Sequence, residues 1–391
     1  MPGTKTLPVR RPHRAPHIGL ASVVWRYVCA NPVLTIAAAL ALLSCMVVPP
    51  DARYLNYIDF KTLTCLFCTL AVICALKNIR FFTIVAQKIV QTTGNMRTAT
   101  IALVYITFIG SMLIANDMAL LTFLPLGYFV LSAAKQERHM AFVFILQNLA
   151  ANLGGMLTPF GNPQNLYLYS FFKIDNLEFM GIMAPCFVVA IILITVCCLV
   201  FIKPEKVLLQ KQRVNLPPTK TVIYLILFIY SILIVFRSIP YWTGLIVIPL
   251  FLIFMDRDAL KAVDYPLLLT FVFFFIFAGN MARIEVVRTA FSFLLSKSTL
   301  LFSVLSCQVI SNVPSAVLLS QFTNNYADLL VGVNIGGAGT LIASLASLIT
   351  FREYAKHNPT KFKHYILTFS LFNFGFLAVL TIFALVWNAL F

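Results

Sequence analysis

The chain has 391 residues, of which 60% are hydrophobic and only 11% are charged, and its formal net charge is +16. A soluble domain carries about 25% charged residues, so this composition excludes a soluble globular protein and requires a bilayer as the solvent. The Lys and Arg residues lie in short segments between apolar stretches, and this placement excludes nucleic acid as the partner that the positive charge serves.

The apolar stretches predict about ten membrane helices, because a spanning helix needs roughly 20 apolar residues. The basic, Pro-rich segment 1–28 comes first and is predicted to be a cytoplasmic tail before a retained first helix, since no signal-peptide cleavage site is evident. Long unbroken apolar runs favour helices over an outer-membrane barrel. The predicted spans are 32–50, 60–77, 139–158 continuing to about 172, 179–202, 220–237, 241–256, 265–281, 329–351 and 364–390.

Two regions, 80–133 and 284–324, do not fit a simple span. Each begins with a charged helix and continues with an apolar run that polar residues interrupt at its centre. We expect each to be a leading helix followed by a re-entrant hairpin, at about 98–133 and about 299–324. Backbone breaks at membrane depth are tolerated only where protein or a water-filled cavity covers them.

The distribution of positive charge supports this threading. With the N-terminus inside and both hairpins returning to their own side, 22 of the 29 Lys and Arg residues lie in inner segments and seven in outer ones. This asymmetry follows the positive-inside rule. It places the first hairpin on the cytoplasmic side and the second on the outer side. A basic cytoplasmic linker, 204–219, then separates a first half, 29–203, from a second half, 220–391.

The centres of the two hairpins resemble each other. The first hairpin breaks at Ala115-Asn116-Asp117 and the second at Ser311-Asn312, so each tip carries an Asn between apolar runs. Because the two hairpins are predicted to enter from opposite faces, they suggest a repeat of inverted topology. Such repeats are typical of secondary transporters, whose binding sites lie near the midplane where discontinuous helices meet.

Each hairpin is followed by a helix with nearly the same interruption. The pattern Asn-x-Gly-Gly-x-x-Thr starts at Asn152 in the first half and at Asn334 in the second. It predicts broken helices over about 139–172 and 329–351, with N–H groups exposed at one half-helix start, which suit an anion, and carbonyls at the other half's end, which suit Na⁺. The alternative is that small and polar residues only pack helices together, as in GxxxG motifs.

Asp117 is the one acid of thirteen that falls between apolar runs at a hairpin tip. An ionisable group at membrane depth indicates function, here a ligand for a coupling cation or a proton carrier. The alternative is that it caps the returning helix. No Lys or Arg falls at this depth, so a bound anion is expected to be held by dipoles, amides and a cation. No His, Cys or second acid accompanies Asp117, which argues against an enzyme.

These motifs resemble the ion transporter superfamily, which includes arsenite permeases, NhaD-type sodium/proton antiporters and divalent anion:sodium symporters. Ala115-Asn116-Asp117 looks like the arsenite-permease hairpin, and Ser311-Asn312 matches the start of the symporters' Ser-Asn-Thr signature. The resemblance covers about residues 20–391 and is closest to small bacterial anion permeases. The chain departs from the dicarboxylate symporters at Asp117, where those proteins carry Thr.

The resemblance implies an all-α polytopic protein with inverted repeats, a homodimer and an elevator mechanism. It also implies two half-sites. One comprises Asn116, Asn162 and Asn165, and the other comprises Ser311 and Asn312 with Thr340, Ser344 and Ser347. The full set of predicted substrate ligands is Asn116, Asn162, Gln164, Asn165, Ser311, Asn312, Thr340, Ser344 and Ser347. The predicted cation or proton ligands are Asp117, Asn116, Thr158, Gly161, Asn312 and Gly339.

The expected function is therefore transport of a small anion, a di- or tricarboxylate or an inorganic oxyanion, across a bacterial inner membrane in symport with Na⁺ or H⁺. The alternatives are efflux of arsenite or another oxyanion, Na⁺/H⁺ antiport, and a channel. No cofactor, catalytic residue or metal is expected apart from a coupling Na⁺. The CxxC at Cys65 and Cys68 lies within an apolar run and is interpreted as packing.

Overall fold

The computed structural model describes residues 27–29, 31–206 and 216–390. Within these residues the chain is helical, and the only extended pairing is one antiparallel bridge between Asn95 and Lys206. The predicted basic tail lies outside the described residues except for 27 and 28, and so does 207–215 of the predicted linker.

The described part of the chain forms seventeen α-helices of eight or more residues. Those before residue 256 are α1 (Pro32–Val47), α2 (Phe60–Asn78), α3 (Phe81–Val90), α4 (Met96–Ile114), α5 (Asn116–Ala133), α6 (Met140–Gly154), α7 (Pro163–Phe171), α8 (Asn176–Phe201), α9 (Pro218–Val235) and α10 (Tyr241–Met255). Those after it are α11 (Tyr265–Arg283), α12 (Glu285–Lys297), α13 (Thr299–Ile310), α14 (Asn312–Leu319), α15 (Tyr326–Ile335), α16 (Leu345–His357) and α17 (Phe362–Leu390).

Eight helical segments among the described residues are long and apolar enough to cross a membrane, or up to nine if the bent pair α12–α13 counts as one span. The prediction of an all-α polytopic membrane protein is thereby confirmed. Apart from the two interrupted helices, the predicted spans agree with the observed helices to within three residues at each end.

The arms of the first hairpin are longer than half-helices. α4 has 19 residues and α5 has 18, and each could cross the bilayer by length and composition. In the second hairpin α13 has 12 residues and α14 has eight. An antiparallel pair of arms returns to its starting side whether or not it spans, so the predicted topology does not depend on this length. The re-entrant character of the hairpins remains a prediction.

The helices pack in two groups. In one, α4 packs against α5 and α6, α13 packs against α14 and α15, and α8, α16 and α17 complete the contacts around them. In the other, α11 packs along α1, and α9 and α10 pack along α2. Helices α7 and α14 belong to the first group and touch α2 and α11 of the second. All the helix interruptions described below therefore lie in the first group.

Candidate functional site

Both hairpin tips adopt the same unusual backbone conformation. Ala115 has φ 65° and ψ 151°, and Ser311 has φ 74° and ψ 159°. This region of conformational space is almost restricted to glycine and costs a non-glycine residue about 1–3 kcal/mol. Strain of this kind persists only where surrounding contacts enforce it, and its recurrence at equivalent positions indicates that the two tips are built alike.

Each tip is tied to the interruption of the helix that follows it. The backbone N–H of Asn116 donates to the carbonyl of Gly161 at 3.1 Å, and that of Asn312 donates to the carbonyl of Ala343 at 2.9 Å. In both tips the Asn side-chain oxygen also accepts the backbone N–H of the next residue at 2.9 Å. The two halves thus repeat the same tip-to-break contact.

In each half, the Thr of the repeated motif bonds the helix interruption to the first arm of the hairpin. The Thr158 hydroxyl donates to the carbonyl of Met112 at 2.7 Å, and the Thr340 hydroxyl donates to the carbonyl of Gln308 at 3.1 Å. Met112 and Gln308 each lie four residues before the tip Asn. Both Thr side chains therefore make the same contact and have a structural task beside any role in binding.

Asn152 joins the two halves. Its side-chain oxygen accepts the Asn116 amide at 3.1 Å and the Ser344 hydroxyl at 2.8 Å. Asn116 belongs to the first hairpin and Ser344 to the second broken helix, and all three side chains are buried. The motif residue of the first half thus holds a predicted ligand from each half-site.

Asn334, the equivalent residue in the second half, bonds to two predicted ligands of the first half. Its side-chain oxygen accepts the Asn162 amide at 3.1 Å, and its own amide donates to the Asn165 side-chain oxygen at 2.6 Å. Asn165 in turn donates to the carbonyl of Gly155 at 3.1 Å, one of three carbonyls within its reach. The Asn162 amide also donates to the Asn152 carbonyl at 3.3 Å. Asn116, Asn162, Asn165 and Ser344 are thereby connected into one buried network that includes predicted ligands of both half-sites.

Two further predicted ligands have different surroundings. Ser347 is buried and accepts the Asn148 amide at 3.2 Å, so it lies in a polar contact between α6 and α16. Gln164 is also buried, but its side-chain oxygen has no hydrogen-bond partner. Hydrogen bonds among the described residues do not connect Gln164 to the other predicted ligands.

Four helix N-termini converge on this network. α5 begins at Asn116, and the Gly161 carbonyl that its first N–H meets lies two residues before the start of α7. α14 begins at Asn312, and the Ala343 carbonyl lies two residues before the start of α16. The N-terminus of a helix carries a partial positive charge of roughly half an elementary charge.

Asp117 lies in the first turn of α5. Its Oδ1 atom is buried and has no hydrogen-bond partner. The side-chain oxygens of Asn162 and Gln164 are buried and unpaired as well. These three oxygens all belong to the first half, and among the described residues no equivalent unpaired oxygen is found at the second tip or second break. Unpaired oxygen acceptors are the chemistry that suits a hard cation.

Close backbone approach explains the glycines of the first break. A Cβ atom on Gly155 would lie 2.5 Å from the Asn162 side-chain oxygen, and one on Gly161 would lie 2.3 Å from the Gly155 carbonyl. These contacts are too short for any larger residue. The small residues therefore fold the interruption onto itself, as the sequence pattern suggested.

Sequence reasoning missed Gln308 as a functional position. Its amide donates to the carbonyls of Gly336 at 2.9 Å and Ala338 at 3.1 Å, and its oxygen accepts the Thr340 N–H at 2.9 Å. Gly339, with φ +115°, has no room for a Cβ beside this side chain. The first half has Met112 at the equivalent position, so a search for matching polar residues could not reveal Gln308. Asn152 and Asn334 are the first residues of the repeated motif, but their side chains were not among the predicted ligands.

The profile of the CitMHS family, described as citrate transporter, matches residues 22–328 of the chain. An uncharacterized transporter of Methanocaldococcus jannaschii is 33% identical over 301 residues, which cover 76% of this chain and 82% of that protein. Inner membrane protein YbiR of Escherichia coli is 27% identical over 281 residues, covering 70% of this chain and 74% of that protein. The family match includes both hairpin tips and the first break but ends before the second break. The chain belongs to the citrate transporter family of membrane transporters.

Proposed function

We propose that the protein is a secondary active transporter that moves a small anion, an organic di- or tricarboxylate or an inorganic oxyanion, coupled to Na⁺ or H⁺. The observation that carries this proposal is the convergence of four helix N-termini on one buried amide network. The segments 98–134, 140–172 and 299–351 contain no Lys or Arg. An anion bound there would be held by helix dipoles and amide donors.

A coupling cation would bind on the first-half side of this network. Asp117 supplies a carboxylate, and Asn162 and Gln164 supply unpaired buried oxygens. A carboxylate beside an anion is repulsive unless a cation lies between them, so the two solutes would bind best together. Such mutual dependence is what coupling requires thermodynamically.

The rest of the proposal follows the family resemblance. In an elevator mechanism, the group of helices that carries both hairpins and both breaks would move against the group formed by α1, α2, α9, α10 and α11. The separation of the helices into two packed groups supports this division. The proposal also includes a homodimer in a bacterial inner membrane with a cytoplasmic N-terminus, and the name of the Escherichia coli relative supports that location.

The second candidate function is efflux of an oxyanion such as arsenite, or Na⁺/H⁺ antiport. The unpaired Oδ1 atom of Asp117 favours it, because a carboxyl whose buried oxygen lacks a hydrogen-bond partner can exchange a proton for a cation. A channel is disfavoured, since the tips and breaks are closed over one another by direct hydrogen bonds.

A thermal-shift screen of the purified protein tests the proposal. Citrate, succinate, sulfate, phosphate and arsenite would each be added with Na⁺ or with K⁺. A ligand at 100 times its dissociation constant stabilises the folded state by about 2.7 kcal/mol. We expect one class of anion to raise the melting temperature, more with Na⁺ or at low pH than with K⁺ at neutral pH.

Asp117→Asn should abolish the cation-dependent part of that shift. Asp175→Asn is the matched control, because Asp175 is exposed and its side chain makes no capping bond. If Asp117→Asn shifts as the wild type does, the coupling role of Asp117 is wrong. If no anion shifts the melting temperature under any condition, the anion proposal fails and cation exchange becomes the better account.

A further inference from the structure

A charged cavity lies away from the helix breaks. It has a volume of about 380 Å³ and is formed where the start of α2, the end of α7 and the end of α9 meet. Its lining residues are Asp59, Lys61, Ser170, Phe171, Lys173 and Arg237. Three of these six side chains are cationic and one is anionic.

The one carboxylate in the cavity, that of Asp59, caps a helix. Asp59 accepts the backbone N–H of Thr62 at 3.0 Å and the Thr62 hydroxyl at 2.5 Å, so it caps the start of α2. Within the part of the chain that the structure describes, Lys61, Lys173 and Arg237 form no ion pair with any carboxylate. The three cations and the one carboxylate leave a net charge of about +2 around the cavity, and the cations repel one another unless an anion lies between them.

Helix capping explains only part of this arrangement. Arg237 donates through Nη2 to the Tyr169 carbonyl at 2.6 Å, and its guanidinium lies 4.3 Å above the Tyr169 ring centroid. That contact satisfies the end of α7. The buried Nε of Arg237 nonetheless has no partner, and among the described residues neither the Lys61 nor the Lys173 ammonium group bonds to the helix end. Capping therefore does not account for the convergence of three cations.

The origin of the three cations is informative. The positive-inside threading leaves seven Lys and Arg residues on the outer side, and Lys61, Lys173 and Arg237 come from three different outer segments. By contrast, outer Arg283 is paired with Asp51 at 2.9 Å. A side of the protein that is poor in positive charge thus gathers three of its seven cations around one cavity.

We infer that this cavity binds a small multivalent anion, a carboxylate or oxyanion, from the outer aqueous phase. α7 connects the cavity to the central network, because its last residue lines the cavity and its first residue follows the first break. The nine residues of this helix span about 13 Å, so an anion in the cavity would lie about that distance from the central network. Binding in the cavity stands on its geometry alone, whereas its role in capturing substrate rests on the proposed function.

Charge-selective labelling of the cavity tests the inference. Phe171 lines the cavity and its side chain is 41% exposed, so Phe171→Cys places a thiol there in a Cys29→Ser background. The full-length protein in phosphatidylcholine nanodiscs would react with a sulfonate-bearing or a trimethylammonium-bearing methanethiosulfonate. Peptide mass spectrometry would count modification at position 171, and each rate would be divided by that reagent's rate with 2-mercaptoethanol.

We expect the normalised rate to favour the anionic reagent. Lys61→Gln with Lys173→Gln should reduce that preference about tenfold at low ionic strength, because two charges are lost within a Debye length of the thiol. Lys61→Arg with Lys173→Arg should retain the preference, which distinguishes an effect of charge from an effect on folding. Arg53→Gln with Arg288→Gln, an equal loss of two charges at exposed outer positions, should leave it unchanged. Equal normalised rates for the two reagents would overturn the inference.

Protection by free anions distinguishes the possible ligands. Citrate or sulfate at millimolar concentration should slow labelling in phosphatidylcholine alone, with chloride at equal ionic strength as control. Protection that requires phosphatidylglycerol and is absent with both free anions would instead assign the cavity to a lipid headgroup and refute capture from water. If the protein transports no anion in flux assays but its labelling still favours the anionic reagent, the capture role is refuted and the anion site in the cavity stands.

Discussion

The link between the two halves can be measured as a coupling energy between Asn152 and Ser344. The Asn152 side-chain oxygen accepts the Ser344 hydroxyl at 2.8 Å, and it also accepts the Asn116 amide at 3.1 Å. Asn152→Ala, Ser344→Ala and the double variant form a thermodynamic cycle. The cycle isolates the contact because the other bonds of Asn152 and Ser344 are lost in the single and in the double variants alike and therefore cancel.

The magnitude follows from what each truncation leaves behind. Asn152→Ala strands two buried donors, at about 1–3 kcal/mol each when no other partner is reached. Ser344→Ala also removes the cap on the Ala346 N–H, worth about 1 kcal/mol. Hydrogen bonds within membrane proteins average about 0.6 kcal/mol and reach about 1.7. We therefore expect Asn152→Ala to cost about 2–4 kcal/mol and the pair to couple by about 0.6–1.7 kcal/mol.

Unfolding in mixed micelles with increasing dodecyl sulfate, followed by circular dichroism, would give the four free energies. The control cycle pairs Asn152→Ala with Ser231→Ala. Ser231 is buried in α9, and among the described residues its hydroxyl bonds only to its own helix. That pair should be additive within about 0.5 kcal/mol. If Asn152 and Ser344 were equally additive, the two halves would not share the network described here.

Three further predictions concern backbone and surface positions. Gly155→Ala should destabilise the protein by about 1–3 kcal/mol through overpacking, whereas Gly181→Ala, with no atom within 4 Å of the added Cβ, should not; equal melting temperatures would contradict the tight break. Ala115→Gly should relieve strain at the first tip and raise, or at least not lower, the melting temperature; a clear loss of stability would show that the tip is not strained. Arg138→Gln should change the unfolding free energy by less than about 1 kcal/mol, because the Arg138–Glu205 pair is largely exposed, and a larger loss would assign that pair a structural role.

The sequence was sufficient to predict the helices and the places where they break. Apolar runs predicted the spans, and Asn-x-Gly-Gly-x-x-Thr lies at both interruptions, between α6 and α7 and between α15 and α16. The tips at Asn116 and Asn312 were also identified correctly. These features are local, so residue type and spacing alone specify them.

The contacts between the halves could not be predicted from the sequence. Asn152 is about 190 residues from Ser344 in the chain, and nothing in the pattern says which amide meets which hydroxyl. The strained backbone of Ala115 was equally invisible, since alanine gives no sign of a conformation that usually requires glycine.

The proposed function requires the buried network to bind an anion together with a coupling cation. Flux into proteoliposomes would be measured for the anion that gives the largest thermal shift, with an inward Na⁺ gradient, an inward H⁺ gradient or neither. We expect saturable uptake that one of the gradients drives and that Asp117→Asn uncouples. Uptake that does not saturate, or that is indifferent to both gradients, would contradict it.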